Sequence, residues 1–346
     1  MKLYPQFGKK PSGERLEKIK ASVNYKDGAF QNLEFTPTLT EGYTYGALLK
    51  AYISPTAKHP VPKDVLPFVK TDLKTDIESN SIVWFGHSSY LLQLDTLTIL
   101  VDPVFSGNAS PFSFLVKNYP GSNEYSVVDL PEIDVLIITH DHYDHLDYKT
   151  VTALQSKVKL VITSLGVGSH LEYWGYPSEK IIELDWHDSY TINATTQITA
   201  TPARHFSGRG IKRNQTLWSS FIVKNEDYNL FLGGDSGFGT HFKAIGNQYG
   251  PFDLAILECG QYNVSWRNIH TLPDEIIQVA EDLQTTKILP VHWSKFKLAL
   301  HDWNEPVTDL LKDNESKKIT ILTPMIGEQF SLEQTDSFPH WWDTVK

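Results

Sequence analysis

From residue 81 onward the chain is punctuated by short β-branched or apolar runs bounded by turn residues. They fall at 82–84, 90–94, 98–101, 133–139, 160–162, 197–201, 219–223, 229–232, 254–257 and 287–291, and each has the length and composition of a strand. A helical period stands out at 273–283, where Ile276, Ile277, Ala280 and Leu283 share one face. Thr271 and Asp274 have the spacing of a capping box, and Pro273 fits the first turn. Residues 1–78 differ. They are rich in Pro, Lys and Gly with only short apolar pieces, which predicts an N-terminal extension packed on a body formed by residues 79–346. Strands first and interspersed helices later predict an α/β fold of layered sheets covered by helices.

Composition narrows the picture. With 40% hydrophobic and 12% aromatic residues in 346, the chain can bury a large core. Its formal charge of −10 argues against non-specific nucleic-acid binding, which needs a basic surface. The nearest local exception is Arg204, Arg209, Lys212 and Arg213. Cys259 is the only cysteine, so no intrachain disulfide or cysteine-rich zinc site can form. Its apolar strand context predicts an inert buried thiol. Residues 1–20 lack the apolar core of a signal peptide, and no run of 18 apolar residues exists. The expectation is a cytoplasmic or peripheral membrane-associated protein with no transmembrane segment, of unspecified oligomeric state.

The richest chemistry lies at the end of one apolar run, in Thr139-His140-Asp141-His142-Tyr143-Asp144-His145. Three imidazoles and a carboxylate in H-x-H-x-D-H order suit zinc, manganese or iron. Other predicted strands also end on polar residues. Residues 199–205 deliver His205, 230–235 deliver Asp235 after Gly233-Gly234, and 288–292 deliver His292. Singly, each also fits a core histidine or a turn aspartate. Together they supply enough ligands for two metals and a bridging carboxylate.

This order of motifs resembles the metallo-β-lactamase superfamily of binuclear metal hydrolases. Residues 84–89 (WFGHSS), 101–106 (VDPVFS), 139–147, 266–273 and 291–293 (VHW) look more narrowly like N-acylphosphatidylethanolamine-hydrolysing phospholipase D and its bacterial relatives. The resemblance covers roughly residues 20–335 and implies a four-layer αββα sandwich. It also implies two divalent ions, zinc first, with manganese or iron(II) as alternatives. His140, His142 and His205 would hold one ion, Asp144, His145 and His292 the other, and Asp235 would bridge. Residues i and i+2 of an extended segment point the same way, which suits the first pair. A hydroxide generated between the ions would attack phosphorus or carbonyl, and no G-x-S-x-G nucleophile is present.

The leading expectation is a phosphodiesterase of phospholipase D type acting on a small-molecule or lipid substrate, with peripheral membrane contact. Its alternative is a lactonase or carboxylic ester hydrolase, related to sugar-phosphate lactonases, that uses the same metals. A nuclease suits the acidic balance poorly, and a non-catalytic metal protein would need only four ligands. His270 is read as a substrate-phosphate ligand or leaving-group acid, or as a helix-start residue. His301 is read as a second substrate-binding residue. His87 and Asp102 are read as residues that orient ligands. Phe105, Pro111, Phe112, Phe114, Leu115 and Val116 form either a packed loop or an acyl-chain groove, and Trp218, Trp293 and Trp303 are candidate pocket walls.

Overall fold

The 82–84, 90–94 and 98–101 runs form an antiparallel meander, and the later apolar runs join it in parallel. In the computed structural model, which describes residues 4–316 and 319–346, this first sheet has seven strands. Their order is Gln329–Ser331, Ser81–Trp84, Tyr90–Leu94, Leu97–Val101, Ile133–Ile138, Val158–Ser164 and Ile181–Leu184. The second sheet repeats the plan. Ser189–Thr191, Gln197–Pro202, Ser219–Lys224 and Asn229–Leu232 are antiparallel, and Leu254–Glu258, Lys287–Val291 and Thr320–Ile321 continue in parallel.

Strands buried on both faces read as unbroken apolar runs rather than alternating ones. Strand Ile133–Ile138 makes the point. Val135 and Ile137 enter the core shared with Ile198, Phe221 and Ile256 of the second sheet. Leu136 and Ile138 instead meet Val151, Leu154 and Leu171 from the outer helices Tyr148–Leu154 and Gly168–Tyr173. Helices His241–Tyr249, Pro273–Asp282 and Glu305–Asp313 cover the second sheet. The result is the four-layer αββα sandwich.

The helix at Pro273 starts differently from the capping-box expectation. Glu275 returns its carboxylate to the Leu272 N–H at 3.0 Å, while Thr271 turns inward and donates to the Ser236 carbonyl at 2.6 Å. Thr271 is therefore a buried tie rather than the cap. The edge strands at 181–184, 189–191, 320–321 and 329–331 carried too little apolar length to stand out in the sequence. Residues 4–78 contain the helices Gly13–Ala21 and Tyr45–Ile53 and a two-stranded hairpin, Tyr25–Lys26 with Ala29–Phe30.

Within the first sheet Ser81–Trp84, Leu97–Val101 and Ile133–Ile138 run the same way, as do Gln197–Pro202, Asn229–Leu232 and Lys287–Val291 within the second, and the C-terminal ends of these six lie along one edge. Those ends lead to His87, Asp102, His140, His205, Asp235 and His292. Gly233 and Gly234 allow the Asp235 strand to run tight against its neighbours. A Cβ on Gly233 would sit 2.6 Å from the Ile256 carbonyl oxygen, and one on Gly234 would sit 2.6 Å from that of Ser219.

Replacing Ile137 by alanine should cost about 2–5 kcal/mol in denaturant unfolding, because it empties the layer between the sheets. The exposed neighbour Lys159→Ala should stay within about 0.5 kcal/mol. Equal costs would contradict the intersheet position of Ile137.

Candidate metal centre

The strand ends bring two groups of side chains together, and Asp235 faces both. In the first group the His142 Nδ1 lies 2.9 Å from the His140 Nε2 and 3.2 Å from the His205 Nε2. The Asp235 Oδ2 is 3.8 Å from the His140 Nε2 and 3.7 Å from the His205 Nε2. In the second group the Asp235 Oδ1 lies 3.2 Å from both the His145 Nε2 and the His292 Nδ1. The Asp144 Oδ2 is 3.7 Å from the His145 Nε2 and 3.0 Å from the His87 Nε2. The offered ligand atoms of His140, His142, His205 and Asp235 all lie within 4.8 Å of one another, as do those of His87, Asp144, His145 and His292. All seven residues expected as ligands thus converge. His87, expected only as an orienting residue, joins them.

Hydrogen bonds on the far side of the rings decide which nitrogen points inward. Asp102 accepts from the Thr139 N–H at 2.9 Å, the Thr139 hydroxyl at 2.6 Å and the His145 Nδ1–H at 2.7 Å. With its hydrogen given to Asp102, the Thr139 hydroxyl accepts from the His140 Nδ1–H at 3.0 Å. The His205 Nδ1–H donates to the Ile269 carbonyl at 2.8 Å. Each bond leaves an Nε2 lone pair facing the others, the arrangement by which outer partners orient metal-binding histidines. Lone pairs meeting lone pairs and carboxylates suit a cation. The His145 Nε2 and the Asp235 Oδ1 fit the same reading, since both are buried without a hydrogen-bond partner.

Electrostatics agree. Burial alone would raise the pKa values of Asp235 and Asp144, but the imidazoles around them, His145 foremost, hold both well below the carboxylate range. Burial pushes His140, His205 and His292 well down toward the neutral form, the form that binds metal. His145 goes the other way. Burial would lower it, yet Asp235, Asp144 and Asp102 pull it well up. The donor set therefore fits two divalent cations sharing Asp235.

Beside these groups His270 donates from Nδ1 to the Glu258 Oε2 at 2.7 Å. The other oxygen of Glu258 accepts from the N–H groups of Ser236 and Thr271 at 3.0 and 3.1 Å. Burial raises Glu258 to about 7, and the Glu258 charge overcomes the burial of His270 to raise it to about 9. Glu258 closes an apolar strand, Leu254–Glu258. A carboxylate ending an apolar run just before Cys259 is the one signal of it in the sequence. Cys259 itself is buried, and burial drives its thiol pKa well up.

A cavity of about 340 Å³ opens over Asp144, His205, Asp235 and His292. Its walls are mostly apolar, with Leu48, Tyr52, Trp266, Ile269 and Leu298, and His270 and Arg213 are its cationic members. His301 lies elsewhere. Its Nε2 accepts from the Gln261 N–H at 3.0 Å, its Nδ1–H donates to the Asp302 carbonyl at 2.8 Å, and the residue faces a separate cavity. Direct substrate contact by His301 is thus not what the geometry offers, although its partner Gln261 lines the metal cavity. Trp218, Trp293 and Trp303 are core residues rather than pocket walls. In the loop singled out for its apolar residues, Phe105 is buried while Phe112, Phe114 and Leu115 are exposed. Phe112 and Phe114 border a different cavity of about 300 Å³ that reaches Tyr143 but none of the converging histidines.

A family model described as a β-lactamase superfamily domain matches residues 98–293. The chain belongs to the metallo-β-lactamase superfamily. It is a metal-dependent hydrolase of that superfamily. The chain is 36% identical over 328 residues to an uncharacterized protein of Mycobacterium tuberculosis, covering 93% of this chain and 87% of that one. It is 30% identical over 263 residues to N-acyl-phosphatidylethanolamine-hydrolyzing phospholipase D 1 of Caenorhabditis elegans, covering 71% and 74%. A metallo hydrolase structure from Ignicoccus hospitalis superposes with a TM-score of 0.56 at 18% identity, over 72% of this chain and 97% of that one. That likeness shows the fold. Among the described residues no helix is long and apolar enough to cross a membrane.

Asp102→Asn should weaken metal binding about 10–100-fold while the protein stays folded, because it removes the acceptor that orients His145 and, through Thr139, His140. Competition with a chromophoric chelator measures this. An unchanged affinity for both ions would remove Asp102 from the metal centre.

Proposed function

We propose that this hydrolase is a phosphodiesterase of phospholipase D type, acting on N-acylphosphatidylethanolamine-like lipids with two zinc ions held by His140, His142, His205, Asp144, His145, His292 and the bridging Asp235. The observation that carries the reading is the pairing of cationic groups with an apolar cavity. His270 and Arg213 share the wall of a cavity over the ligand groups, and most of the remaining wall is apolar. A phosphodiester anion with hydrocarbon attached satisfies both features, whereas a lactone or ester without a phosphate uses only the apolar wall, and a sugar phosphate only the cationic groups. The likeness to the Caenorhabditis elegans enzyme supports the same substrate class.

Two bound divalent ions supply an activated water and neutralise charge on the phosphoryl oxygens. The residues of the chain do the rest. Asp235 holds the two halves of the site in register through its separate oxygens. His270, propped by Glu258 at 2.7 Å, presents a proton from Nε2 to a phosphoryl oxygen or to the departing alkoxide. Water adds to phosphorus, the P–O bond to the N-acylethanolamine breaks, and the proton goes to that alcohol, leaving phosphatidic acid. Leu48, Trp266 and Ile269 keep bulk water from the reacting centre and accept acyl chain. His301 acts at one remove, by fixing the backbone of Gln261.

Elemental analysis should find about two metals per chain, and product analysis should find phosphatidic acid from an N-acylphosphatidylethanolamine. Opening of a lactone or carboxylic ester with no attack on the lipid would move the function to the alternative hydrolase. Asp235→Asn and His142→Ala should each lower turnover by about a thousandfold or more without unfolding the chain. His270→Ala and Glu258→Gln should lower kcat in the same direction by about a hundredfold, with little change in metal content. Metal loss in these last two would instead place them among the ligands.

A further inference from the structure

We propose that the rim of the metal cavity is a docking surface for an anionic lipid bilayer, formed by one face of helix Tyr45–Ile53 and the tip of the loop at Ile211. The reason for a bilayer to be there rests on the lipid-phosphodiesterase reading. The surface itself rests on its own geometry and charge.

Helix Tyr45–Ile53 (YGALLKAYI) has two apolar sides. Leu48 packs with Phe206 and Trp266 in the cavity wall, and the Tyr52 hydroxyl donates to the Leu298 carbonyl at 3.1 Å, so one side is anchored. Tyr45, Leu49 and Ile53, spaced i, i+4 and i+8, form the other and are 69%, 62% and 73% exposed. Across the cavity, the loop Gly208-Arg209-Gly210-Ile211-Lys212-Arg213 is fixed at its base and projects at its tip. The buried Arg209 guanidinium donates to the carbonyls of Asp141 and Leu146, both at 2.7 Å, and Arg213 lies 4.7 Å over the Phe206 ring. Ile211 between them is fully exposed. Phe206 and Arg213 line the same cavity as Tyr45, Leu48 and Tyr52, so helix and loop are two lips of one opening.

Charge identifies the occupant. The whole chain carries 41 acidic and 31 basic residues. Yet residues 42–58 and 206–215 contain no Asp or Glu and present Lys50, Lys58, Lys212 and Arg213 at the surface, Arg209 being buried. Exposed apolar side chains flanked by Lys and Arg, with aromatic residues beside them, are the composition of an element that lies in a membrane interface. Each basic residue near an anionic leaflet adds attraction that decays within a Debye length, so the local charge governs and not the distant acidic surface. A second copy of this chain would bring the same cations face to face, which disfavours it as the occupant.

The test is flotation of the full-length protein with vesicles of phosphatidylcholine alone or with roughly one-third phosphatidylglycerol, alongside hydrolysis of soluble bis(p-nitrophenyl) phosphate and a thermal melt. The protein should float with anionic vesicles, more weakly at high salt and on phosphatidylcholine alone. The combined variant Leu49→Asp, Ile53→Asp, Ile211→Asp should lose at least about tenfold in partitioning. Lys212→Gln should lose about fivefold on anionic vesicles only. Neither should change the melt or the turnover of the soluble diester. Absence of vesicle binding overturns the proposal, as does equal binding by the triple variant, or a wild-type dimer that the triple variant dissociates. Soluble diester cleavage without vesicle binding would leave the phosphodiesterase reading standing alone. Vesicle binding that the variants abolish, with no cleavage of any phosphodiester, would leave the docking surface standing alone.

Discussion

Asp235 lies almost wholly out of water, where a lone carboxylate would either pick up a proton or cost several kcal/mol to keep charged. It does neither, because each oxygen faces its own set of imidazoles. The demand that this charge be matched from both sides explains much of the surrounding architecture. It requires two sheets whose strands end along a common edge, glycines that let the Asp235 strand approach its neighbours, and rings whose tautomers are fixed from behind. Packing of apolar layers holds the sheets together, and the geometry of one carboxylate determines where they must meet.

A second carboxylate distributes the order outward. Asp102 binds the backbone and hydroxyl of Thr139 and the ring of His145, and through the hydroxyl it governs His140. Asp102, His87 and His292 all adopt left-handed backbone angles, with φ of 39°, 52° and 69°, which non-glycine residues take only at a cost of about 1–3 kcal/mol each. Strain of this kind persists where the surroundings fix it from several sides. Here the His87 N–H donates to the Trp293 carbonyl and the His292 N–H to the His87 carbonyl.

The converging side chains were legible because metal chemistry restricts residue type, and strand ends restrict position. His140, His142, Asp144, His145, His205, Asp235 and His292 each follow an apolar run, so pattern and chemistry pointed to the same places. Glu258 escaped notice because it counts as the last residue of its strand, and nothing in the sequence says that it faces His270. His87 is expected to orient a ligand, and its Nε2 does meet the Asp144 carboxylate at 3.0 Å, although a turn after Gly86 does not reveal that partner. His301 differs in the other direction, since its Nε2 takes the Gln261 N–H, a pairing set by the path of residues 258–262 that no local pattern encodes. Thr271 had capping chemistry in its spacing but spends its hydroxyl on Ser236, a partner 35 residues away. Long-range pairing is the common factor in these differences.

That same long-range pairing has a consequence for how the chain reaches its native state. The Ser88 hydroxyl and the His292 Nδ1 meet at 2.9 Å across 204 residues of sequence, so the second group of converging side chains comes together only when both halves of the sandwich are in place. Loop closure over such a span is slow compared with forming a local helix or hairpin. His140, His142, Asp144 and His145 lie within six residues of one another, but His205, Asp235 and His292 join them only in the finished arrangement, so a cation that needs all seven binds the completed fold more tightly than a half-built chain. A cation bound by both halves would then favour chains whose halves are correctly joined, and more so as the supply of the ion rises.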